Sequence, residues 1–285
     1  MVLFSLTAIA LVAFAANSVL CRMALGDDLI DPVTFTAIRL SGGAIALSLI
    51  FWMTRKKKSS QMLEGSWRSA IALYGYALAF SLAYVSLSSG TGALILFGAV
   101  QITMLLAAFR SGEQMGAIQW GGFCVAIAGI IYLVSPGIAA PDLRGAVLMM
   151  ISGMAWGMYS IAGKSVKSPI AMTTGNFIRA AIMMVPTSII ALVLAMSSVS
   201  TYGVALALTS GVVTSGMGYV IWYKVVPMLT TTQAAVVQLL VPLLAALGGV
   251  IFIGEKFTVR LGLASLLILG GVVLSIFAKK NSTKL

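Results

Sequence analysis

The chain has 285 residues, of which 60% are hydrophobic and 9% charged, with a formal net charge of +11. A soluble domain is about half apolar and a quarter charged, so a soluble fold is excluded. The basic residues lie between hydrophobic runs rather than along one polar face, which argues against nucleic-acid binding and for a membrane topology signal.

Runs near the roughly 20 residues that span a bilayer follow one another with short polar breaks. In hydrocarbon such runs must be helices, which close their own backbone hydrogen bonds. The predicted spans are 3–24, 32–54, 66–87, 91–110, 116–134, 143–163, 170–195, 203–226, 231–253 and 258–278. The first, MVLFSLTAIALVAFAAN, carries a cleavage-like Ala13-Phe14-Ala15 but no basic n-region. It also has an internal counterpart, so it is expected to be retained as a span. The break SSGTG (Ser88 to Gly92) splits an apolar run too long for one helix, and PMLTTT (Pro227 to Thr232) does the same later.

Loop charge sets the expected orientation. With the N-terminus in the cytoplasm, the inner side holds 12 Lys and Arg, RKKK (Arg55 to Lys58) among them, and the outer side holds four, Arg22, Arg144, Lys256 and Arg260. Both termini are expected inside, with RKKK as an inner-leaflet anchor. Cys21 and Cys124 lie in apolar runs without metal-ligand or redox spacing and are expected to be small buried hydrophobes. Trp52, Trp67 and Trp222 lie near helix ends, where tryptophan anchors the membrane interface.

The chain repeats itself. FAANSVLCR (Phe14 to Arg22) lies over WGMYSIAGK (Trp156 to Lys164) at an offset of 142, as does Gly112-Glu113 over Gly254-Glu255 and Gly129 over Gly271. Arg39 lies over Arg179 at 140. Five spans per half is an odd number, so the second half enters the membrane from the opposite side. The expected units are residues 1–137 and 138–285, an inverted repeat with its substrate site near the midplane between the halves.

These features together resemble the EamA-type transporters of the drug/metabolite transporter superfamily. The residues that carry the resemblance are Phe14 to Asn17 and Trp156 to Tyr159 in the first helix of each half, Arg39 and Arg179 in the second, and Tyr84 in the third. A small-residue fourth helix ending in Gly-Glu follows, with Pro242 in the second half and Val100-Gln101 at the matching place in the first. The resemblance implies an all-α polytopic fold of ten transmembrane helices. In it, helices 1–4 and 6–9 surround a central cavity and helices 5 and 10 lie outside. It also implies export of amino acids, aromatic ones included, or of other metabolites.

All seven acidic residues fall in loops or at helix ends, and histidine is absent. No mid-membrane carboxylate is present for a cation and a proton to compete over, which counts against proton-coupled cation efflux. Arg39, about 10 Å into its helix at 1.5 Å per residue, and Arg179 are costly in lipid and should face a cavity or a partner. Two roles are open to each, a tie to neighbouring carbonyls or a contact for a substrate carboxylate. Asn17 and Tyr159 are either substrate contacts or interhelical glue. Gln101 and Gln238, near the middle of the fourth and ninth helices, are candidate cavity residues. Trp156, Tyr76 and Tyr84 are either packing or a stacking surface for cargo. Pro186 and Pro242 each favour a kink and are candidate hinges. The GxxxG from Gly153 to Gly157 reads as close helix packing.

The expectation is therefore a secondary transporter in a bacterial-type inner membrane, carrying small metabolites by alternating access with no metal or other cofactor. Multidrug cation efflux is the alternative. A polytopic enzyme is remote, since no catalytic constellation is visible.

Overall fold

A computed structural model describes residues 2–54, 63–111, 116–137, 139–163, 168–194, 198–225, 228–229 and 237–281. Among these it has ten helices: α1 Val2–Gly26, α2 Pro32–Thr54, α3 Trp67–Tyr84, α4 Ser89–Arg110, α5 Ala117–Val134, α6 Leu143–Ala162, α7 Pro169–Val193, α8 201–225, α9 Leu240–Ile253 and α10 Val259–Asn281. Eight are long and apolar enough to cross a membrane. The exceptions have local causes: α3 carries Arg68, Trp67 and three tyrosines, and only 14 residues of α9 are described. Arg55 to Lys58, Glu113, Lys164 and residues 230–236, at the predicted start of the ninth span, lie outside the described residues.

Helix limits follow from capping. Ser66, Ser88, Asp142 and Ser200 stand just before α3, α4, α6 and α8, and each side chain accepts a backbone N–H of the first turn. Pro169 opens α7, where its missing N–H is not needed. Gly254, in left-handed conformation with φ 74°, ends α9. Pro186 lies inside α7 as expected. Pro242 lies in α9 three residues after a turn at Leu239, which separates the helix from helical residues 237–238.

The packing pairs exchange with one another when α1–α5 are swapped for α6–α10. Thus α3 lies on α6 and α1 on α8, α4 on α6 and α1 on α9, α3 on α7 and α2 on α8. The pairs α2–α7, α4–α9 and α5–α10 map onto themselves. At one end of the bundle, the Arg22 Nη1 group at the end of α1 donates to the Tyr84 and Val85 carbonyls at the end of α3, at 3.0 and 2.8 Å. Ser86 then donates to Asp142, the N-cap of α6, at 3.1 Å. So α6 begins where α1 finishes, and the halves run in opposite directions.

That end is knitted further. Asp31 N–H donates to the Ser198 carbonyl and Ser200 N–H to Leu29, joining the α1–α2 and α7–α8 loops. Arg260 donates to carbonyls at the end of α5. Glu255, just past α9, accepts the Ser89 N–H with both oxygens at 2.9 and 3.0 Å and pairs with Arg22 Nε at 3.5 Å. All five loops from odd to even helices meet here, so this end of the bundle is closed. The Gly145 N–H and Ser86 hydroxyl hold the Asp142 carboxyl below the ordinary Asp range.

Glycines allow the closest helix contacts. A Cβ at Gly122 would sit 2.5 Å from the Gly271 carbonyl, and one at Gly271 equally close to the Gly122 carbonyl, so α5 and α10 meet backbone to backbone. Gly153 and Gly157 press on α4 at Leu96 and Thr103, which is the packing role expected of that motif. Two expectations are corrected. Cys124 is exposed on the outside of α5, with only Cys21 buried, because α5 presents that face away from its partners. Trp222 is 9% exposed and lies edge-on to Phe14, packed inside rather than anchored at an interface.

Two outcomes follow from this packing. Gly122→Leu or Gly271→Leu should cost about 1–3 kcal/mol by overpacking and lower the detergent melting temperature by a few degrees. The neighbours Gly121 and Gly270, where an added Cβ meets nothing within 4 Å, should accept leucine without loss. Equal effects at both pairs would contradict the backbone contact. Glu255 gives a second test, because burial pushes its carboxyl above the ordinary range against the pull of Ser89 N–H and Arg22. The packed state therefore binds that proton more tightly than a solvated Glu does. Its contribution is largest in acid and is lost as pH rises through the raised pKa. The melting temperature of Glu255→Gln relative to the parent should rise between pH 5 and pH 8, and a falling difference would refute the assignment.

Candidate functional site

The site lies where α1, α3, α4, α6 and α8 converge, with Gln238 just ahead of α9. Its apolar walls are the rings of Phe14, Tyr76, Phe80, Phe97, Trp156 and Tyr219. Between them stand the polar side chains of Asn17, Ser18, Thr214, Ser215 and Gln238. The space they enclose is about 20 Å³, room for about one water molecule. Loading anything larger requires the walls to part.

Trp156 forms the middle of a stack. Its ring centre lies 4.8 Å from that of Tyr76, tilted at 44°, and 5.3 Å from that of Tyr219, stacked at 24°. Tyr159 packs on the same indole at 5.5 Å and is buried behind it. Because α3 and α8 are counterparts across the two halves, Tyr76 and Tyr219 clasp Trp156 from both.

Asn17 is held by α8. Its Oδ1 accepts from Ser210 at 2.5 Å and from Thr214 at 3.2 Å. These residues belong to a π-helical stretch, Ser210–Met217, that interrupts α8. A π turn spans one residue more than an α turn and is rare outside functional places. From this stretch Ser210 and Thr214 both donate to Asn17, while Ser215 accepts from Arg39 Nε. The sequence SGVVTSGM combines glycine, β-branched and hydroxyl residues, all weak helix formers. Gly211 lies so close to the Arg39 backbone that a Cβ would clash with its carbonyl.

Arg39 stands directly behind the wall, 2% exposed. Its Nη2 donates to the Tyr76 hydroxyl at 2.9 Å and its Nε to Ser215 at 3.3 Å. The guanidinium carbon lies 4.9 Å from the Phe80 ring centre and 5.3 Å from that of Tyr76. Its Nη1 has no partner among the described residues. An arginine holds its charge at any accessible pH. Here that charge meets rings and hydroxyls, and Arg22–Glu255 is the one ion pair among the described residues.

Arg179 is differently placed despite its matching position. Its Nη1 donates to the Gly175 carbonyl at 2.8 Å and the Glu64 carbonyl at 3.2 Å, with its guanidinium 5.9 Å over Trp67. It ties α7 to the loop before α3, away from the cavity. Tyr84 is fully buried near the closed end and donates to the Ser89 carbonyl at 3.2 Å. Gln101 is buried on α4 outside the cavity wall. Pro186 and Pro242 do not line it either.

Of the side chains singled out in the sequence, the structure thus gathers Asn17, Arg39, Tyr76, Trp156 and Gln238 around one space. Sequence reasoning missed Ser210, Thr214, Ser215 and Tyr219. For Tyr219 a signal exists, since it stands 143 residues after Tyr76, close to the offset of the repeat. For the hydroxyl residues of the π stretch none exists, because Ser and Thr are common in membrane helices.

Comparison with known proteins bears on what this architecture belongs to. An uncharacterised protein of Pseudomonas aeruginosa is 46% identical over 273 residues, covering 94% of this chain and 92% of its own. A probable amino-acid metabolite efflux pump of Escherichia coli is 23% identical over 286 residues, covering 95% and 94%. A solved crystal structure, 16% identical, matches with a TM-score of 0.63 over 95% of this chain and 98% of that one, which shows a shared fold. The profile of the EamA-like transporter family matches twice, at residues 2–135 and 143–277. With two antiparallel five-helix halves, ten helices and this family match over nearly its full length, the chain belongs to the EamA-like transporter family.

Proposed function

We propose that the protein is a secondary exporter of small carboxylate-bearing metabolites, a class that takes in amino acids, aromatic ones included, and the acids derived from them. The observation that carries this reading is the buried Arg39 guanidinium beside the cavity, whose Nη1 has no partner and which faces no carboxylate among the described residues. A buried charge without a counter-charge is costly, and a cargo carboxylate supplies one. The aromatic walls provide stacking faces for a ring or an apolar side chain. The name of the Escherichia coli relative, a probable amino-acid metabolite efflux pump, agrees with the class.

Transport proceeds by alternating access. The bundle is tied shut at the end holding Arg22 and Glu255, and the central space is too small for a metabolite, so cargo enters as the opposite end opens. The excess of Lys and Arg in the even-to-odd loops supports reading the closed end as the outer face of a bacterial-type inner membrane, an orientation that puts both termini inside and pairs unit 1–137 with an inverted unit 138–285. The π stretch of α8 and Pro186 in α7 are the places where these helices flex. Exchange needs no mid-membrane proton carrier, because the charge that meets the cargo is permanent.

Counterflow in proteoliposomes tests this reading with labelled phenylalanine, other amino acids and organic cations, with and without a protonophore. Saturable, protonophore-insensitive exchange of carboxylate-bearing compounds is expected. Arg39→Gln should cut it about 10- to 100-fold, the value of a lost charged hydrogen bond, while Arg179→Gln in a well-folded protein changes it less than about threefold. Exchange of organic cations alone, or full activity in Arg39→Gln, would displace the proposal.

A further inference from the structure

The side chains around Arg39 also bear on the net charge of the cargo. In the sequence every acidic residue lies in a loop or at a helix end. Of those described, Asp27, Asp28 and Asp31 lie between α1 and α2, Glu64 before α3, Asp142 at the N-cap of α6 and Glu255 after α9. None lines the cavity, whose polar groups are hydroxyls and amides. Asn17, the amide nearest the π stretch, already accepts two hydrogen bonds through its Oδ1. The central site therefore carries one fixed positive charge and no fixed negative one.

The consequence follows from charge balance. In a water-poor site a net charge is expensive, and unlike charges a few ångströms apart attract far more strongly than in water. A cargo with one carboxylate and no ammonium brings the occupied site to zero. A zwitterionic amino acid pairs its carboxylate with Arg39 but leaves a second positive charge facing rings and hydroxyls. Ring faces offset an ammonium only in part. A cationic amine doubles the uncompensated charge.

We propose that this cavity selects net-anionic aromatic carboxylates, of the 2-oxo and 2-hydroxy acid type, over the zwitterionic amino acids that share their side chains. The inference rests on the carboxylate reading above and adds the rule that the cargo is recognised by its carboxylate and ring, with no carboxylate among the cavity's side chains to balance an α-ammonium. The Tyr76–Trp156–Tyr219 stack takes the ring, and Arg39 takes the carboxylate. Transport of such a cargo moves one negative charge per cycle, whereas transport of a zwitterion moves none.

The test compares three compounds with the same ring and different charge: 3-phenyllactate, L-phenylalanine and phenethylamine. Each is titrated against the purified full-length protein in lipid nanodiscs by calorimetry, with quenching of tryptophan fluorescence as a second readout. Phenyllactate should bind at least about tenfold more tightly than phenylalanine, and phenethylamine should bind weakest. Arg39→Gln should bring phenyllactate and phenylalanine within about threefold of each other, and Arg39→Lys should restore the order. The ranking in the unmodified protein decides the claim even where the Gln variant folds poorly. Phenylalanine binding as tightly as phenyllactate, or more so, overturns the charge rule and leaves carboxylate export standing. Phenethylamine binding tightest, or no binding of either carboxylate, overturns both.

Discussion

The arrangement of the centre depends on a single guanidinium that has been taken out of water without being given a carboxylate. Arg39 is enclosed by Tyr76, Phe80 and Ser215. These contacts soften its desolvation without cancelling its charge, because hydroxyls and ring quadrupoles supply partial charges only. The residual positive potential falls on the cavity that the same side chains line. Other parts of the molecule fit round that fact: acids stay at helix ends, Gly211 lets α8 close on the Arg39 backbone, and a π stretch brings a hydroxyl under the guanidinium.

Duplication supplies the frame and asymmetry supplies the chemistry. Packing pairs exchange between the halves, and Tyr76 and Tyr219 clasp Trp156 from both. Yet the two arginines have parted roles, since Arg179 is spent on carbonyls of the loop before α3 and of its own helix. A cavity with both arginines facing inward would hold two like charges in low dielectric and repel itself. One cavity charge and one structural tie avoid that cost. The closed end shows the same economy, with Arg22 serving carbonyls of α3 and the carboxylate of Glu255 together.

The sequence made the frame legible because lipid imposes local rules. A span must be apolar over a set length wherever it packs, so α2 comes out at 32–54 from composition alone and the other helices within a few residues, apart from the start of the ninth span, which lies outside the described residues. Arg39 stood out for a related reason: a charge within an apolar run has no local explanation. What stayed hidden depends on tertiary contact. The π stretch reads as ordinary helix until α2 presses on Gly211, and the parting of Arg39 from Arg179 turns on which neighbours face each. Trp222 sits at a helix end by sequence and inside the bundle by packing, because Phe14 of the distant α1 covers it.

The central claim is that Arg39 meets the cargo's negative charge. An experimental structure of the protein in lipid with an aromatic carboxylate bound tests it most directly. The account predicts a carboxylate oxygen about 3 Å from Nη1 of Arg39, with the ring of the cargo against Trp156. A cargo whose carboxylate is held by other groups, while Arg39 keeps only Tyr76 and Ser215, would contradict it.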